Sequence, residues 1–287
     1  MSDAVKERVV LAPNPSALTG PGTNSFLLGT REVAVIDPGP DIPAHLDAIV
    51  VAAGGPRRIS HILVTHAHLD HSGGARTLSR ITGSPVLAFG DAGAGRSPTM
   101  ARLAGQGIEG GEGVDRDFAP DIVLADGAVV ETAEWRLTAI HTPGHMGNHL
   151  SFAATDTIFC GDLVMAWATT LISPPEGDLA DFLRSLDRLA ARGPARLLPA
   201  HGPAVTDPPA RLAELATHRR ARTAQVMAAL RDAPDDPAGL AARIYDVPPE
   251  LLPAAARNVL AHLIALCDLG AVRAEGAQLS TAIWHAA

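Results

Sequence analysis

The segment Thr65–His71 constrains this chain more than any other, because it reads Thr-His-Ala-His-Leu-Asp-His directly after an apolar run at 61–64. Four residues of metal-binding types fall inside six consecutive positions: His66, His68, Asp70 and His71. Imidazole nitrogens and carboxylate oxygens are the donors that bind zinc, iron or manganese in proteins. The segment therefore predicts the first half of a two-metal hydrolytic site, with the remaining ligands far downstream.

Three further candidate donors follow apolar strands at turns that contain glycine: His145, Asp162 and His201. Binding residues concentrate on such loops because a rigid sheet fixes their positions. Counting donors gives one ion the histidines His66, His68 and His145. The other ion receives Asp70, His71 and His201. Asp162 is left to bridge the two ions.

Two divalent ions about 3.5–4 Å apart can share a water molecule and lower its pKa toward neutrality. The donor set therefore predicts a dinuclear metal-dependent hydrolase that uses a metal-bridging hydroxide and no protein nucleophile. Asp70 is predicted to be a ligand first, and also to orient the nucleophile or carry its proton. Zinc is the first choice for five imidazoles and two carboxylates, and iron and manganese are compatible.

The composition limits the partners of this chain. A net charge of −8 over 287 residues gives no overall basic field to attract nucleic acid or an anionic membrane. Residues 1–8 contain acidic residues and no apolar core, which argues against a secretory signal. No uninterrupted apolar run reaches the length of a membrane span. Cys160 and Cys267 are too far apart in sequence to indicate a disulfide framework. We expect a soluble cytoplasmic protein.

Short apolar strands alternate with helical patterns over roughly the first two hundred residues, which indicates α/β layers. Strands are predicted at 8–11, 25–28, 33–36, 60–65, 122–124, 128–130, 135–137, 150–152 and 157–159. Helices are predicted at 42–53, 73–81 and 179–191. The glycine-rich stretch 91–113 is predicted to be a surface excursion with a short helix.

Near Pro208-Pro209 the sequence changes from alternating strand and helix patterns to mainly helical patterns. Helices are predicted beyond it at 210–231, 237–245 and 253–269, followed by a ribbon of 271–273 and 278–280. This order predicts a hydrolase domain at 1–209 and a small winged-helix-like domain at 210–287. The basic cluster 218–222 is interpreted as a solvated helix face, because the tail has as many acidic residues as arginines. Nucleic-acid binding by the tail is the alternative.

The metal segment, the turn 141–145, Gly161-Asp162 and His201-Gly202 resemble the metallo-β-lactamase fold superfamily of hydrolases. The resemblance runs from about Arg8 to Val205. It implies a four-layer αββα sandwich with the metals at one edge. Each of the seven ligand positions of the dinuclear members is matched by the expected residue type.

The helical tail and the segments Asn14-Pro15 and Gly22-Thr23-Asn24 further resemble the lactamase-beta-2-like subgroup, as does the spacing from His145 to His149. Mammalian members of that subgroup cleave single-stranded RNA, which implies an endoribonuclease-like phosphodiesterase. Ester or thioester hydrolysis of the glyoxalase II type, or lactone hydrolysis, is the alternative that needs no basic surface. A non-catalytic nucleic-acid-binding protein is the remaining class.

The roles of several neighbouring residues follow less directly. His149 is predicted to donate to the substrate or to an oxyanion, and the alternative is a histidine hydrogen-bonded within the sheet. Asp37 is expected to orient a ligand imidazole through its second ring nitrogen. Trp167 is expected to fill the core rather than to cover the site. The tail is expected to shape the cleft or to form a homodimer contact.

Overall fold

The chain is described from a computed structural model that covers residues 6–108, 110–111 and 113–287. The strands are β1 (Arg8–Leu11), β2 (Asn24–Leu28), β3 (Val33–Ile36), β4 (Ile59–Leu63), β5 (Val86–Ala88), β6 (Ile122–Val123), β7 (Val129–Glu131), β8 (Arg136–His141), β9 (Leu150–Ala154), β10 (Thr157–Gly161), β11 (Arg196–Pro199), β12 (Val272–Glu275) and β13 (Ile283–Ala286). The α-helices are α1 (Pro43–Ala53), α2 (Leu69–Ser72), α3 (Ala75–Thr82), α4 (Pro98–Gly105), α5 (Leu179–Arg192), α6 (Pro208–Asp232), α7 (Pro237–Ile244) and α8 (Leu252–Asp268).

Two mixed sheets form the main body of the described chain. The first has the strand order β1-β2-β3-β4-β5-β6, antiparallel up to β3 and parallel from β3 onward. The second has the order β11-β10-β9-β8-β7, in which only the β10–β11 pair is parallel. The carboxyl ends of β4, β10 and β11 each lead directly into a loop that carries candidate donors.

Alternate residues of β3 enter different cores, because successive side chains of a strand point to opposite faces. Val33 and Val35 pack against helices α1 and α3, in a core that includes Leu46 and Leu78. Ala34 and Ile36 face the second sheet instead, in a core that includes Phe152 and Phe159. Both faces of β3 are therefore buried, which accounts for its uninterrupted apolar sequence.

A third core lies on the outer face of the second sheet. Helix α5 contributes Leu179, Phe182 and Leu186, which pack against residues such as Ile158 and Leu197 of the strands. The order of layers is therefore helix, sheet, sheet, helix. The predicted four-layer αββα sandwich is confirmed.

Helix α6 belongs to two cores. Its first half adds Leu212 and Leu215 to the core beneath α5. Its second half adds Val226 and Leu230 to a separate core with α7, α8 and the β12–β13 ribbon. Three helices and a two-stranded ribbon form the predicted winged-helix-like part of the chain.

The second strand of the terminal ribbon was predicted at the wrong place. Residues 278–280 lie in a turn, and the strand is β13, five residues later. The reason is Trp284, which is fully buried in the domain core and donates from Nε1 to the carbonyl of Leu279. Burying that indole determines which residues pair with β12.

One segment, Pro249–Asp268, has the length and mean hydropathy (1.3) of a membrane-spanning helix. It contains α8, the central helix of the winged-helix-like part. Val259, Leu263 and Ile264 of α8 are buried in that core. Packing within a folded domain therefore accounts for its apolar composition.

The core between the two sheets should be sensitive to truncation. Phe152 is fully buried there. We expect Phe152→Ala to lower the free energy of unfolding by about 3–5 kcal/mol, because it removes apolar contacts and leaves a cavity. Urea denaturation followed by circular dichroism would measure this. Val51→Ala, at a position 77% exposed, is the control and should change stability by less than about 0.5 kcal/mol.

Candidate metal centre

The candidate donors meet at one edge of the sandwich, where loops from both sheets converge. The loop after β4 carries His66 and His68, and α2 follows with Asp70 and His71. The other three donors come from the second sheet. His145 lies between β8 and β9, Asp162 follows β10, and His201 follows β11.

The first group of donors consists of three histidines whose ligand atoms lie within 4.8 Å of one another: His66, His68 and His145. The Nε2 atom of His66 lies 2.9 Å from Nδ1 of His68. The Nε2 atom of His145 lies 3.0 Å from the same Nδ1 atom. Three ring nitrogens thus point at one small volume.

The second group, Asp70, His71 and His201, meets the same distance criterion. The Oδ2 atom of Asp70 lies 3.5 Å from Nε2 of His71 and 3.3 Å from Nε2 of His201. These two groups match the sets of three that donor counting predicts, and a third group that meets the criterion, His66, His71 and Asp162, overlaps both.

Asp162 lies between the two groups. Its Oδ2 atom is 3.5 Å from Nε2 of His71 and 3.7 Å from Nε2 of His145. Its Oδ1 atom is 3.4 Å from Nε2 of His201. The carboxylate therefore approaches imidazoles of both groups.

Electrostatics divide the histidines into two kinds. Burial lowers the pKa of His68 to about 3, with a further contribution from His145, and burial likewise lowers the pKa of His66 and of His145. Burial opposes protonation of His201 as well, but Asp162 and Asp70 together outweigh it and raise the pKa of His201 to about 10. For His71, Asp70 and Asp162 likewise outweigh burial and raise the pKa. The all-histidine group is therefore neutral, which is the form that binds a metal.

The donor set fits divalent metal ions. The Nε2 atom of His71 and the Oδ1 atom of Asp162 are buried, and neither has a hydrogen-bond partner in the described part of the chain. Burying a polar atom without a partner is costly unless a ligand satisfies it. Imidazoles and carboxylates in this number suit zinc, iron or manganese.

A buried hydrogen-bond network orients the first loop. The Oδ2 atom of Asp37 lies 2.9 Å from Nδ1 of His71 and accepts from the Thr65 hydroxyl, and its Oδ1 atom accepts from the Thr65 backbone N–H. This is the orienting role that the sequence predicts for Asp37. The residue has φ of 52°, in the left-handed region that non-glycine residues seldom adopt. Backbone strain of this kind is typical of functional sites.

The segment that resembles the lactamase-beta-2-like subgroup holds the His201 loop. The Nδ2 atom of Asn24 donates to the carbonyls of Pro199 and Gly202, at 3.1 and 2.9 Å. The Nδ1 atom of His201 lies 3.1 Å from the carbonyl oxygen of Gly22. This contact leaves Nε2 of His201 directed at the two carboxylates.

The structure places His149 behind the donors, where it is fully buried. Its Nε2 atom accepts from the backbone N–H of Asp162 at 3.2 Å, and its Nδ1 atom lies 2.9 Å from the Thr142 hydroxyl oxygen. Gly161 makes this approach feasible, since a Cβ there would lie 2.5 Å from Nε2 of His149. Both ring nitrogens of His149 are thus engaged within the protein. His149 therefore supports the backbone of Asp162, in place of the predicted contact with a substrate. The partner Thr142 had no recognisable signal in the sequence.

Trp167 does not fill the core, contrary to expectation. Its side chain is 44% exposed, packs against Gly202 and donates from Nε1 to the carbonyl of His201 at 3.2 Å. It therefore covers the His201 loop from the solvent side.

Two family models match the chain. The Metallo-beta-lactamase superfamily matches residues 18–201, and the Beta-lactamase associated winged helix domain matches residues 237–284. The crystal structure of a metallo-beta-lactamase family protein from Thermus thermophilus superposes with a TM-score of 0.79 at 25% sequence identity, covering 98% of both chains. The chain belongs to the metallo-beta-lactamase superfamily and is a hydrolase.

Two curated relatives bear on which subgroup of the superfamily the chain resembles. The Beta-lactamase-like protein 2 homolog of Caenorhabditis elegans is 30% identical over 280 residues, which cover 95% of this chain and 87% of the relative. The Atrochrysone carboxyl ACP thioesterase of Aspergillus chevalieri is 33% identical over 234 residues, which cover 80% of this chain and 67% of the relative. The predicted resemblance to the lactamase-beta-2-like subgroup is confirmed.

Removing the charge of Asp37 should weaken metal binding. We expect Asp37→Asn to lower the affinity about 10–100-fold, because its NH2 group replaces one of the two oxygens that accept from the Thr65 backbone, the Thr65 hydroxyl and His71. Competition with a chromophoric chelator would measure the affinity. Asp121→Asn, which alters a carboxylate that accepts from Val86 and Arg76 away from the site, is the matched control. Equal affinity in the two variants would contradict the role of Asp37.

Proposed function

We propose that this chain is a dinuclear metal-dependent hydrolase that cleaves thioesters or related carboxylic esters. One observation carries the metal dependence. Two groups of three donors lie on either side of a single carboxylate, Asp162, which approaches members of both. Five imidazoles and two carboxylates in this arrangement provide places for two ions.

Two divalent ions, when bound, would supply Lewis-acid chemistry: a water molecule of lowered pKa and a polarised substrate oxygen. The protein contributes fixed positions and a route for the proton. Asp70 has the most exposed carboxylate of the site, at 29% for its side chain against 11% for Asp162. From there it would orient the attacking water and accept its proton. The carbonyl carbon gains an oxygen, the carbon–sulfur bond breaks, and Asp70 returns the proton to the leaving thiolate.

The preference for a thioester rests on similarity and on charge. The relative from Aspergillus chevalieri is named a thioesterase and is 33% identical to this chain. A neutral carbonyl substrate needs no basic surface, which agrees with the net charge of −8.

The basic cluster at 218–222 also differs from a phosphate-binding surface. Arg219 is only 1% exposed, which contradicts its interpretation as part of a solvated face. The guanidinium of Arg222 stacks on the ring of Tyr245 at 3.8 Å and donates to the carbonyl of Ile244. Arg220 is the exposed arginine of this cluster. Little of the predicted basic footprint is thus available to nucleic acid.

Single-stranded RNA is the second candidate substrate. It is supported by the winged-helix match at residues 237–284 and by the resemblance to the lactamase-beta-2-like subgroup. A winged helix often binds nucleic acid, and the exposed Arg220 provides one contact for a phosphate.

Parallel assays separate the two substrates. The purified protein would be incubated with S-lactoylglutathione, with aryl esters and with a fluorescent single-stranded RNA. We expect the thioester or an ester to turn over and the RNA to stay intact at stoichiometric enzyme. RNA cleavage without ester or thioester hydrolysis would favour the phosphodiesterase instead.

Metal content is the direct test of the site. We expect elemental analysis to give two equivalents of metal per chain and to identify the ion. Dialysis against a chelator should remove both the metal and the hydrolytic activity, and one divalent metal should restore it. Full activity in metal-free protein would overturn the proposal.

Asp162 is the residue whose loss should matter most. We expect Asp162→Ala to reduce hydrolysis to the uncatalysed rate and to lower the metal content while the fold is kept. The matched control is Asp156→Ala, which removes an exposed carboxylate in the turn before β10. Circular dichroism would check folding of both variants. Normal turnover from Asp162→Ala would exclude a two-metal mechanism.

A further inference from the structure

The segment Thr170–Ile172 lies between the metal centre and the helices of the winged-helix-like part. Toward the metal centre, the carbonyl of Leu171 accepts from Nδ1 of His145 at 2.8 Å. The hydroxyl of Thr170 donates to the carbonyl of Asp162 at 2.7 Å. Two candidate ligands, a histidine of the first group and the carboxylate between the groups, are therefore held by two consecutive residues, Thr170 and Leu171.

The other side of the segment is held by the C-terminal helices. The Oδ1 atom of Asn258 on α8 accepts from the backbone N–H of Ile172 at 3.1 Å. Arg219 on α6 donates from Nη2 to the carbonyl of Thr170, and from Nη1 to the same Oδ1 atom of Asn258 at 3.2 Å. A closed set of hydrogen bonds thus joins α6, α8 and the segment.

The burial of Arg219 indicates that this arrangement has a purpose other than stability. Its side chain is almost completely enclosed, and its guanidinium stacks over the ring of Phe182 at 5.3 Å. Arg219 has no carboxylate partner among the described residues; burying a cation in this way is expensive, and an apolar residue of similar volume would pack at lower cost. A planar guanidinium, however, donates in two fixed directions at once. That geometry matches the two acceptors, the carbonyl of Thr170 and the side chain of Asn258.

Phe182 connects Arg219 to the same ligand by a second route. Gly144, which precedes His145, has φ of 140°, and a Cβ there would lie 2.3 Å from the Cα atom of Phe182. The turn that carries His145 is therefore pressed against α5 on one side. On the other side, its imidazole is held by Leu171.

We propose that Asn258 and Arg219 are positioning residues of the metal centre. Through the segment Thr170–Ile172 they fix the ring of His145 and the backbone of Asp162. The winged-helix-like part then contributes to the metal centre without supplying a ligand. This inference rests on the proposed metal-dependent function, and it assigns the C-terminal helices a role distinct from substrate binding.

A pair of substitutions at Asn258 tests the proposal. Asn258→Leu keeps the approximate volume and removes the acceptor, whereas Asn258→Asp keeps an acceptor oxygen for both Ile172 and Arg219. We expect the leucine variant to bind metal about tenfold more weakly, which is the lower end of the effect of displacing the support of a ligand. The aspartate variant should retain the affinity of the unmodified protein. Chelator competition would give both values.

The visible spectrum of the cobalt(II)-loaded protein provides a second readout that does not depend on activity. The spectrum should change in Asn258→Leu, because the coordination of His145 changes, and not in Asn258→Asp. Trp284→Phe is the control for a general loss of stability in the C-terminal part. It removes the buried Nε1 donor to Leu279 without touching the segment, so it should leave the spectrum unchanged.

Arg219→Lys is the variant to use for the same test if Asn258→Leu does not fold. Lysine keeps the charge but lacks the fork that reaches Thr170 and Asn258 together, so metal affinity should again fall. Unmodified protein that binds no metal would refute the proposed function, and this inference with it. Unchanged affinity and spectrum in a folded Asn258→Leu or Arg219→Lys variant, beside unmodified protein that binds two ions, would overturn the positioning role alone.

Discussion

The burial of the Asp162 carboxylate at one edge of the sandwich is the constraint on which the rest of the structure depends. Asp162 is 8% exposed and lies among imidazoles from both sheets. A buried charge is tolerated only when opposite charge or hydrogen bonds compensate it. His71 and His201 supply that compensation, and divalent ions would supply more. The loops after β4, β10 and β11 must therefore converge for the site to exist.

The convergence is enforced by groups outside the donor set. Asp37 holds Thr65 and His71, Asn24 holds the loop of His201, and His149 holds the backbone of Asp162. Each contact joins different elements through a buried or partly buried hydrogen bond, which is strong and directional in a medium of low dielectric constant. A site held in this way is preorganised, so binding an ion does not have to order the loops.

The contacts of Arg219 bear on the role of the C-terminal part. Winged helices are usually considered in relation to nucleic acid, but here Arg219 faces inward and bonds to Thr170. An arginine that is buried and bonded to Thr170 and Asn258 is not available to a phosphate. The net charge of −8 agrees with the proposed thioester or ester substrate, which needs no basic surface to approach the site.

The sequence by itself predicted the donor set, the family and the layer order, because these depend on local patterns. His66, His68, Asp70 and His71 are neighbours in sequence, and strand and helix periodicities are local. Tertiary structure decided the roles of His149, Trp167 and Arg219 and the position of β13. Each depends on partners more than a few residues away: Asp162 for His149, the His201 loop for Trp167, Thr170 for Arg219. Such pairings form only when packing brings distant segments together. They cannot be inferred from residue spacing along the chain.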